Sequence, residues 1–372
     1  MEIKYKALAD SLRKEIASRG PLGSRKLPTE AELAHTYHVS RQTVRQALSV
    51  LLGEGMIEKR QGSGTFIAPG VFPSALSSYH IALLLPDVAG YPSQYAVGEA
   101  EAFLNEAGYS ASVCSTENRT DQERKILMEL QNRPVRGLLV RSVRTAFPNP
   151  NLSLYRDLAA RGTSIVFLGD RYPQLQADAD LDSPAQSRTG HEDFLLVSTD
   201  DFGGGRLLAH HLIERGHKKI AGIFRLDNQS SRNRYAGILH ALCESGLSFD
   251  DRDFLWYDPL TVRMPDSRLL LSFIRIQLAG CTAVICEDEA IAAALIRELQ
   301  KLALPVPSQI SVSAFAGARS RYPSKITCAV SPNGNPWHIA AELLLANING
   351  KPVSSIQYPW SIRTGESTGM AP

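Results

Sequence analysis

Two arginines and a glutamine lie close together in residues 40–54 and could recognise nucleic-acid bases. Arg41 and Arg45 are four residues apart, so on a helix they share one face, with Gln42 beside them. In the major groove of DNA, a guanidinium group pairs with the guanine edge and a carboxamide pairs with the adenine edge. These residue types at this spacing predict a helix that reads duplex DNA.

Apolar residues on the other side support a helix over residues 40–54. They recur at the three- and four-residue spacing of one buried face, at Val44, Ala47, Leu48, Leu51 and Leu52. Ser40 is a suitable N-cap. Thr29 and Glu32 have the spacing of a capping box, which predicts a short preceding helix that ends near His38. Two helices with a tight turn between them indicate a helix-turn-helix.

A glycine-rich reversal follows the second helix. Residues 57–59 and 65–67 read as strands that bracket the sequence QGSG. Arg60 and Gln61 stand at its tip, and Gly62 lets the backbone come close to a nucleic acid. The pattern predicts a wing that contacts DNA.

Residues 4–68 resemble the winged helix-turn-helix of the GntR family along their whole length. The resemblance is carried by LPTEAELA, VSRQTVRQAL, GMIEKRQGSGTFI and a first helix over residues 5–18. It implies that Arg41, Thr43 and Arg45 contact bases or phosphates and that the wing enters the minor groove. Some members carry a DNA-contacting arginine where this chain has Ala31. Lys4 either contacts a phosphate or only packs. We predict DNA contacts from Lys4, Ser40, Arg41, Gln42, Thr43, Arg45, Gln61 and Gly62.

The length and the charge distribution fit a DNA-binding module attached to a larger part. A chain of 372 residues is expected to form two or three domains. Residues 1–68 carry 11 Lys and Arg against 7 Asp and Glu, whereas the remainder carries 29 against 31. The positive surplus therefore lies in the proposed DNA-binding module, although pooled charge is weaker evidence than the motif.

The N-terminus and the cysteines indicate a cytoplasmic protein. The chain begins with MEIKYKALADSLRKEI, which reads as an amphipathic helix and not as a signal peptide. No stretch approaches the ~20 apolar residues that span a bilayer, so we expect no membrane partner. The five cysteines are scattered and form no C-x-x-C pair, which favours reduced thiols.

From His80 onward, short apolar runs alternate with amphipathic segments, as in HIALLLP followed by QYAVGEAEAFLNEAGY. This alternation predicts parallel sheets covered by helices on both faces. The predicted fold class is α/β, with a winged helix-turn-helix followed by a two-lobed, doubly wound sensor domain resembling the periplasmic binding proteins. The predicted bounds are 1–68 for the DNA-binding domain, 69–78 for a linker, 79–372 for the sensor, and roughly 80–180 and 195–330 for its lobes, with the C-terminal segment crossing back.

Residues 79–368 resemble the sugar-sensor domain of the LacI/GalR family. The stretches that carry this resemblance include STDDFGGGRLLAHHLIERGHKKIAGIF and TAVICEDEAIAAALIRELQKLALPVPSQISV. A GntR-type head on a LacI-type sensor is an uncommon pairing that resembles the arabinose repressors. The resemblance implies a homodimer and a carbohydrate effector bound between the lobes, at the carboxyl ends of the strands.

Several cleft residues follow from this resemblance. Asp288 stands where the family has an aspartate that accepts two sugar hydroxyls, although a plain N-cap is the alternative. Arg234 falls where the family has an arginine that reaches the sugar, and a solvated arginine is the alternative. Arg141 ends a strand at a cleft-facing position, and Tyr91 and Gln94 follow the first strand. The aromatic candidates, which either stack on a sugar or pack in the core, are Trp256, Tyr257 and Phe315.

Departures from the family pattern bear on the effector. Ala316 and Gly317 follow Phe315 where the family has two carboxylates, and Arg141 replaces a glutamate of the arabinose repressors. With two arginines in the cleft, an anionic sugar derivative becomes an alternative to an arabinose-like neutral pentose. Residues 172–194 form a polar insertion that we interpret as a surface loop.

The remaining motifs do not indicate catalysis. Gly203, Gly204 and Gly205 lack the spacing of a dinucleotide fingerprint. His210, His211 and His217 are expected to be surface or packing residues and not metal ligands. No catalytic set stands out, so we expect neither an enzyme nor a cofactor.

The sequence therefore predicts a repressor of carbohydrate-utilisation genes that binds double-stranded operator DNA, with an effector that either releases or promotes DNA binding. One alternative is a regulator whose sensor has lost its ligand and only dimerises. The other is an enzyme or a solute-binding protein built on the same two-lobed fold.

Overall fold

The computed structural model describes residues 4–19, 26–60, 64–68, 79–86, 93–133, 135–175, 194–316, 325–331 and 334–372. The chain divides into two compact units, one built mainly on the residues up to Tyr79 and the other mainly on those from His80 onward. We call the first unit the head and the second the sensor.

The head contains three helices and a hairpin: α1 (Lys4–Arg19), α2 (Glu30–Thr36), α3 (Arg41–Gly53), β1 (Ile57–Arg60) and β2 (Gly64–Ile67). Its core forms where the apolar sides of the three helices meet, with Leu12, Val44 and Leu51 fully buried. The antiparallel strands β1 and β2 close this core. The predicted helix-turn-helix and wing are thereby confirmed.

Local capping explains where the helices of the head begin. Thr29 N–H donates to the Glu32 carboxylate (2.7 Å) and Glu32 N–H donates to the Thr29 hydroxyl (3.3 Å), which forms the predicted capping box before α2. His38 adopts a left-handed conformation in the turn before α3. The predicted buried face of α3 was one residue too wide, because Leu52 remains 42% exposed.

The sensor alternates strands and helices along the chain. Its strands are β3 (His80–Leu85), β4 (Ser110–Ser115), β5 (Gly137–Val140), β6 (Ser164–Leu168), β7 (Phe194–Thr199), β8 (Ile220–Arg225), β9 (Phe254–Tyr257), β10 (Ala283–Cys286), β11 (Ser311–Ala316), β12 (Thr327–Val330), β13 (Ile356–Tyr358) and β14 (Ser361–Arg363). Its helices are α4 (Ser93–Glu106), α5 (Thr120–Asn132), α6 (Leu152–Ala160), α7 (Asp201–Ile213), α8 (Gln229–Glu244), α9 (Ser267–Ile276), α10 (Glu289–Lys301) and α11 (Pro336–Ile348), with a short 3-10 helix at Asp251–Asp253.

These strands form two six-stranded sheets, one in each lobe. The first has the order β13-β7-β6-β5-β3-β4 and is parallel throughout. The second has the order β14-β12-β11-β10-β8-β9, in which only β14 is antiparallel. Both sheets are predominantly apolar, and helices pack against them. The predicted two-lobed α/β fold is confirmed.

The predicted course of the chain between the lobes needs two corrections. Strand β7 was assigned to the second lobe, but it pairs with β6 in the first sheet, in the register Ile165↔Phe194. Its apolar run suits either sheet, so only its partners determine where it belongs. Tyr172 was placed at the start of a surface insertion, yet it is fully buried. Residues 176–193 of that insertion and the predicted linker lie outside the described residues.

The C-terminal segment crosses back between the lobes as predicted. Helix α11 packs on the first sheet, through Trp337, Ala341 and Leu344. Strand β13 then joins the edge of the first sheet, and β14 joins the edge of the second. The carboxyl ends of both sheets therefore meet at one cleft, with Trp360 between β13 and β14.

Candidate DNA-binding surface and effector cleft

Helix α3 presents its polar side chains to solvent. Arg41, Gln42 and Arg45 are exposed, whereas the opposite face of the helix is buried in the core of the head. Ser40 caps the helix, because its hydroxyl accepts a hydrogen bond from the Thr43 N–H (3.2 Å). The N-terminal end of α3 therefore carries hydrogen-bond donors suited to base edges and phosphates.

Among the described residues, two acidic side chains contact the cations of this surface, Glu58 beside Arg60 and Glu30 beside Arg45. Glu30 accepts a hydrogen bond from Arg45 Nε (2.8 Å) and lies 3.9 Å from Lys59 Nζ of the wing. Arg60 stacks over the Phe66 ring at 4.8 Å. The Lys4 side chain, Gln61 and Gly62, which sequence assigned to DNA binding, lie outside the described part of the head.

A cavity of about 330 Å³ lies between the two lobes of the sensor. It is open to solvent and is lined from both sheets. The predicted residues that it brings together are Arg141, Arg234, Asp288 and Phe315. Arg225, Asp170 and Trp360 also line it, which the sequence did not indicate. The position of the cavity at the carboxyl ends of the strands agrees with the general rule for such sheets.

Arg234 is held rigidly in the wall of the cavity. Its Nε donates to Asp201 (2.8 Å) and its Nη1 donates to Glu287 (3.0 Å), while the guanidinium group lies 4.1 Å from the centre of the Phe315 ring. Burial alone lowers the pKa of Arg234, but the charges of Asp201 and Glu287 outweigh it and raise the pKa. Arg234 is therefore a fixed cation, and Phe315 stacks on it.

Two glycines make this arrangement possible. Helices α7 and α8 approach so closely that a Cβ at Gly205 would lie 2.0 Å from the Arg234 carbonyl oxygen. A Cβ at Gly237 would lie 2.0 Å from the carbonyl oxygen of Phe202. Because neither position has room for a side chain, α8 can bring Arg234 against Asp201 at the start of α7.

Asp288 occupies the N-cap position of α10, which is one of the two roles that the sequence left open. Its carboxylate accepts a hydrogen bond from the Ile291 N–H (2.8 Å) and so caps α10. It also lines the cavity. Burial raises its pKa, and the backbone N–H groups of the cap oppose the shift.

Arg141 differs from the other arginines of the cleft. Arg225 forms two hydrogen bonds with Asp227 (both 3.0 Å), and Arg144 forms two with Asp258 (3.0 and 3.1 Å). The Arg141 guanidinium group forms no hydrogen bond or ion pair with the described residues. Its pKa is lowered by removal from bulk water and then by the charge of Arg225.

Asp170 connects the lobes beside the cavity. It follows strand β6 and accepts hydrogen bonds from the hydroxyls of Ser230 (2.8 Å) and Thr145 (3.0 Å) and from the Ser230 N–H (3.1 Å). Burial and the nearby Asp201 raise its pKa, against these hydrogen bonds. An acidic residue two positions after a buried strand is the signal in the sequence that could have identified it.

The prediction that Trp256 lines the cleft is wrong. Its ring packs against Phe224 and Tyr235, with centres 5.9 and 5.2 Å apart, on the face of the second sheet that α8 covers. Tyr257 is likewise buried in the core of that lobe. The aromatic residues that do line the cavity are Phe315, Tyr358 and Trp360.

The remaining predictions concern two pocket candidates, Tyr91 and Gln94, and the histidines that were expected to pack. Tyr91 lies outside the described residues, and Gln94 belongs to α4 but its side chain is not described. His211 hydrogen bonds to Thr368 (3.2 Å), and His217 hydrogen bonds to Thr282 (2.8 Å), so both pack against the C-terminal segment or the second sheet.

Comparison with known proteins supports both halves of this description. Residues 4–67 match the model for bacterial regulatory proteins of the gntR family, and residues 209–368 match that for a periplasmic binding protein-like domain. An arabinose metabolism transcriptional repressor from Halalkalibacterium halodurans is 26% identical over 94% of this chain and 90% of its own length. One from Geobacillus stearothermophilus is 30% identical over 95% of this chain and 93% of its own. The chain belongs to this family of repressors.

Solved structures show the same fold for the sensor of this repressor. A LacI transcriptional regulator from Alkaliphilus metalliredigens, in complex with D-xylulofuranose, has a TM-score of 0.58 at 19% identity and covers 78% of this chain and 99% of its own. A LacI family regulator from Bifidobacterium animalis has a TM-score of 0.61 at 20% identity, covering 79% and 99%.

Family membership confirms the predicted function, a DNA-binding transcriptional repressor with a sugar-type sensor domain. Among the described residues of the repressor, no helix combines the length and the apolar character needed to cross a bilayer.

Proposed function

We propose that this repressor is a cytoplasmic homodimer that silences carbohydrate-utilisation genes until a monosaccharide binds between the lobes of its sensor. The observation that carries the proposal is the cavity itself. It is lined both by Asp288, the carboxylate that caps α10, and by Arg141, whose guanidinium group has no ion-pair partner among the described residues.

On the DNA side, α3 enters the major groove of each operator half-site. Arg41, Gln42 and Arg45 contact base edges, and Ser40 and Thr43 contact the adjoining backbone. Lys4 binds a phosphate, while Gln61 and Gly62 of the wing reach the minor groove. Arg45 exchanges its contact with Glu30 for one with DNA, because an exposed ion pair of this kind is weak.

On the sensor side, the cavity suits one sugar. Its volume of about 330 Å³ lies at the small end of the ~300–1,000 Å³ typical of ligand pockets. Asp288 and Asp170 accept hydrogen bonds from hydroxyl groups, and Arg141 and Arg234 donate to sugar oxygens. These convergent polar groups favour a retained ligand over a sensor that only dimerises.

The names of the relatives support an arabinose-like neutral pentose as the effector. The structure weakens one argument for an anionic sugar, because Arg234 is already neutralised by Asp201 and Glu287. A sugar acid or sugar phosphate is the second candidate effector. Arg141 supports it, because a guanidinium group in a cleft favours bidentate pairing with an anion.

Effector binding between the lobes shifts one lobe against the other and disturbs the spacing of the two heads on DNA. Half-sites of a dimeric binder lie ~34–36 Å apart or at multiples of that distance, so a small rotation breaks the register. The coupling is reciprocal, and operator DNA therefore weakens sugar binding by the same factor.

Thermal unfolding of the full-length protein tests the effector assignment. Arabinose, galacturonic acid and arabinose 5-phosphate are added separately to the wild type and to Arg141→Gln. We expect arabinose to stabilise the wild type. Stabilisation by an acid or phosphate alone, lost in Arg141→Gln, supports the second candidate instead, and no stabilisation by any sugar contradicts the sensor assignment.

A further inference from the structure

A buried carboxylate without a cation lies behind the cleft, in the first lobe. Glu123, in the first turn of α5, is fully buried. Its Oε1 accepts hydrogen bonds from the hydroxyls of Tyr155 (2.7 Å) and Tyr172 (2.6 Å). Its Oε2 accepts from the amides of Asn149 (2.7 Å) and Asn151 (2.9 Å). No ion pair joins Glu123 to any described residue.

A buried charge is costly unless its surroundings compensate for it fully. Here four neutral donors and the N-terminal end of α5 provide the compensation. Burial, followed by the charge of Glu123, raises the pKa of Tyr155 and of Tyr172 well above the usual value, so both hydroxyls keep the protons that they donate.

The donors belong to the segments that build the cleft. Asn149 and Asn151 end the loop of residues 141–151, which begins with Arg141 and carries Arg144 across to Asp258 of the other lobe. Tyr172 lies two residues after Asp170. The Tyr172 hydroxyl also accepts a hydrogen bond from the Val143 N–H (3.0 Å), so the same cluster holds both ends of the loop.

We propose that Glu123 is a positioning residue of the sensor, which fixes the 141–151 loop and the Asp170–Tyr172 turn so that Arg141, Arg144 and Asp170 meet the effector and the second lobe. The proposal rests on the proposed function in one respect, the role of the cleft in effector binding. Glu123 itself does not line the cavity.

The position requires a carboxylate and not an amide. On the Oε2 side, both asparagine amides are fixed as donors: Asn149 Oδ1 accepts from the Asn151 N–H (2.7 Å), and Asn151 Nδ2 also donates to the Thr120 carbonyl (2.8 Å). A glutamine must therefore turn its NH2 group toward the tyrosine hydroxyls. Those hydroxyls then lose the acceptor of their protons, and the cluster holds the loop less firmly.

Amide hydrogen exchange of the full-length protein without sugar tests this role. Glu123→Gln is compared with Leu127→Ala, which removes a fully buried apolar side chain one turn along the same helix. We expect exchange in residues 142–151 to become about tenfold faster in Glu123→Gln, the effect of losing one buried hydrogen-bonded contact. Strands β3, β5 and β6 are expected to keep the protection of the wild type. In Leu127→Ala, exchange rises across the lobe without singling out the loop.

Unchanged exchange in residues 142–151 of Glu123→Gln, or a rise shared equally with the strands, overturns the proposal. Tyr172→Phe provides a second variant should Glu123→Gln not fold, and it is expected to expose the Val143 amide in the same local manner. Because the measurement uses no sugar, its failure is distinguishable from a failure of the effector assignment.

Discussion

Arg45 in the head and Arg234 in the sensor both contact a carboxylate, but in opposite surroundings. The Arg45 side chain is 69% exposed and forms an ion pair with Glu30, whereas the Arg234 side chain is 12% exposed and forms ion pairs with Asp201 and Glu287. In water an exposed pair is weak and exchanges readily, whereas a buried pair is fixed. Arg45 of the head can therefore exchange its carboxylate contact for one with an external polyanion. In the cleft of the sensor, carboxylates hold Arg144, Arg225 and Arg234 in place, whereas Arg141 has no ion-pair partner among the described residues.

The buried ion pairs of Arg234 give the largest expected effect. Arg234→Leu leaves the Asp201 and Glu287 carboxylates buried without their cation, and we expect the sensor to lose roughly 3–5 kcal/mol of unfolding free energy. All three tryptophans lie in the sensor, so urea unfolding followed by tryptophan fluorescence reports on this unit alone.

The control is Arg206→Leu, which removes an exposed pair with Glu244 from the neighbouring helix. We expect its unfolding midpoint to stay within experimental error. If the two variants lose equal stability, burial does not distinguish the pairs and the comparison between head and sensor fails.

Because Arg45 is exposed, its removal is expected to weaken DNA binding without lowering the stability of the protein. Arg45→Ala is expected to weaken binding to a specific duplex about tenfold to a hundredfold, the range for one base-reading arginine. The tryptophan-monitored unfolding of the sensor should not change. Fluorescence anisotropy with a labelled duplex measures the first quantity, and wild-type affinity in this variant contradicts the assignment of α3.

A smaller effect concerns the pH dependence of the sensor. Because the folded-state pKa of Asp170 is raised above its unfolded value, its contribution to stability is present at low pH and is lost as the pH rises through the folded pKa. Asp170→Asn has no carboxyl group at this position and therefore lacks this pH-dependent contribution to stability. We therefore expect the stability of the variant, relative to the wild type, to be greatest at neutral pH.

The stability of Asp170→Asn relative to the wild type should decrease as the pH falls toward the ordinary aspartate range near ~4. Unfolding curves of both proteins at a series of pH values measure it. If the relative stability of Asp170→Asn instead increases on acidification, the carboxylate is stabilised, and not destabilised, by its surroundings.

The two regions also differ in how far the sequence could predict them. In the head, caps and helix periodicity act over a few residues, so Ser40, Thr29 and the wing could be placed from local patterns. Only Leu52 was assigned to the wrong surface. The alternation of strands and helices similarly predicted the two lobes, but not which sheet β7 joins, because that depends on pairing between distant residues.

The cleft was predicted only in part for the same reason. Arg141 follows a strand, Asp288 caps a helix and Arg234 lies in the second turn of α8, and resemblance could supply all three positions. Trp256 and Trp360 look alike in the sequence, and only the packing against Phe224 and Tyr235 shows that the first belongs to the core. Asp201 was not identified from the sequence, because its contact with Arg234 needs two helices that approach each other closely at glycines.

The most direct test of the account uses Asp288→Asn, because asparagine caps a helix as well as aspartate does. A labelled duplex selected by the wild-type protein from a random pool is titrated with and without arabinose, and Asp266→Asn, at the cap of α9, serves as the control. We predict that arabinose weakens DNA binding by the wild type and by the control, by ~5–150-fold. Asp288→Asn should bind the duplex equally well and ignore the sugar. A normal arabinose response in Asp288→Asn contradicts the account.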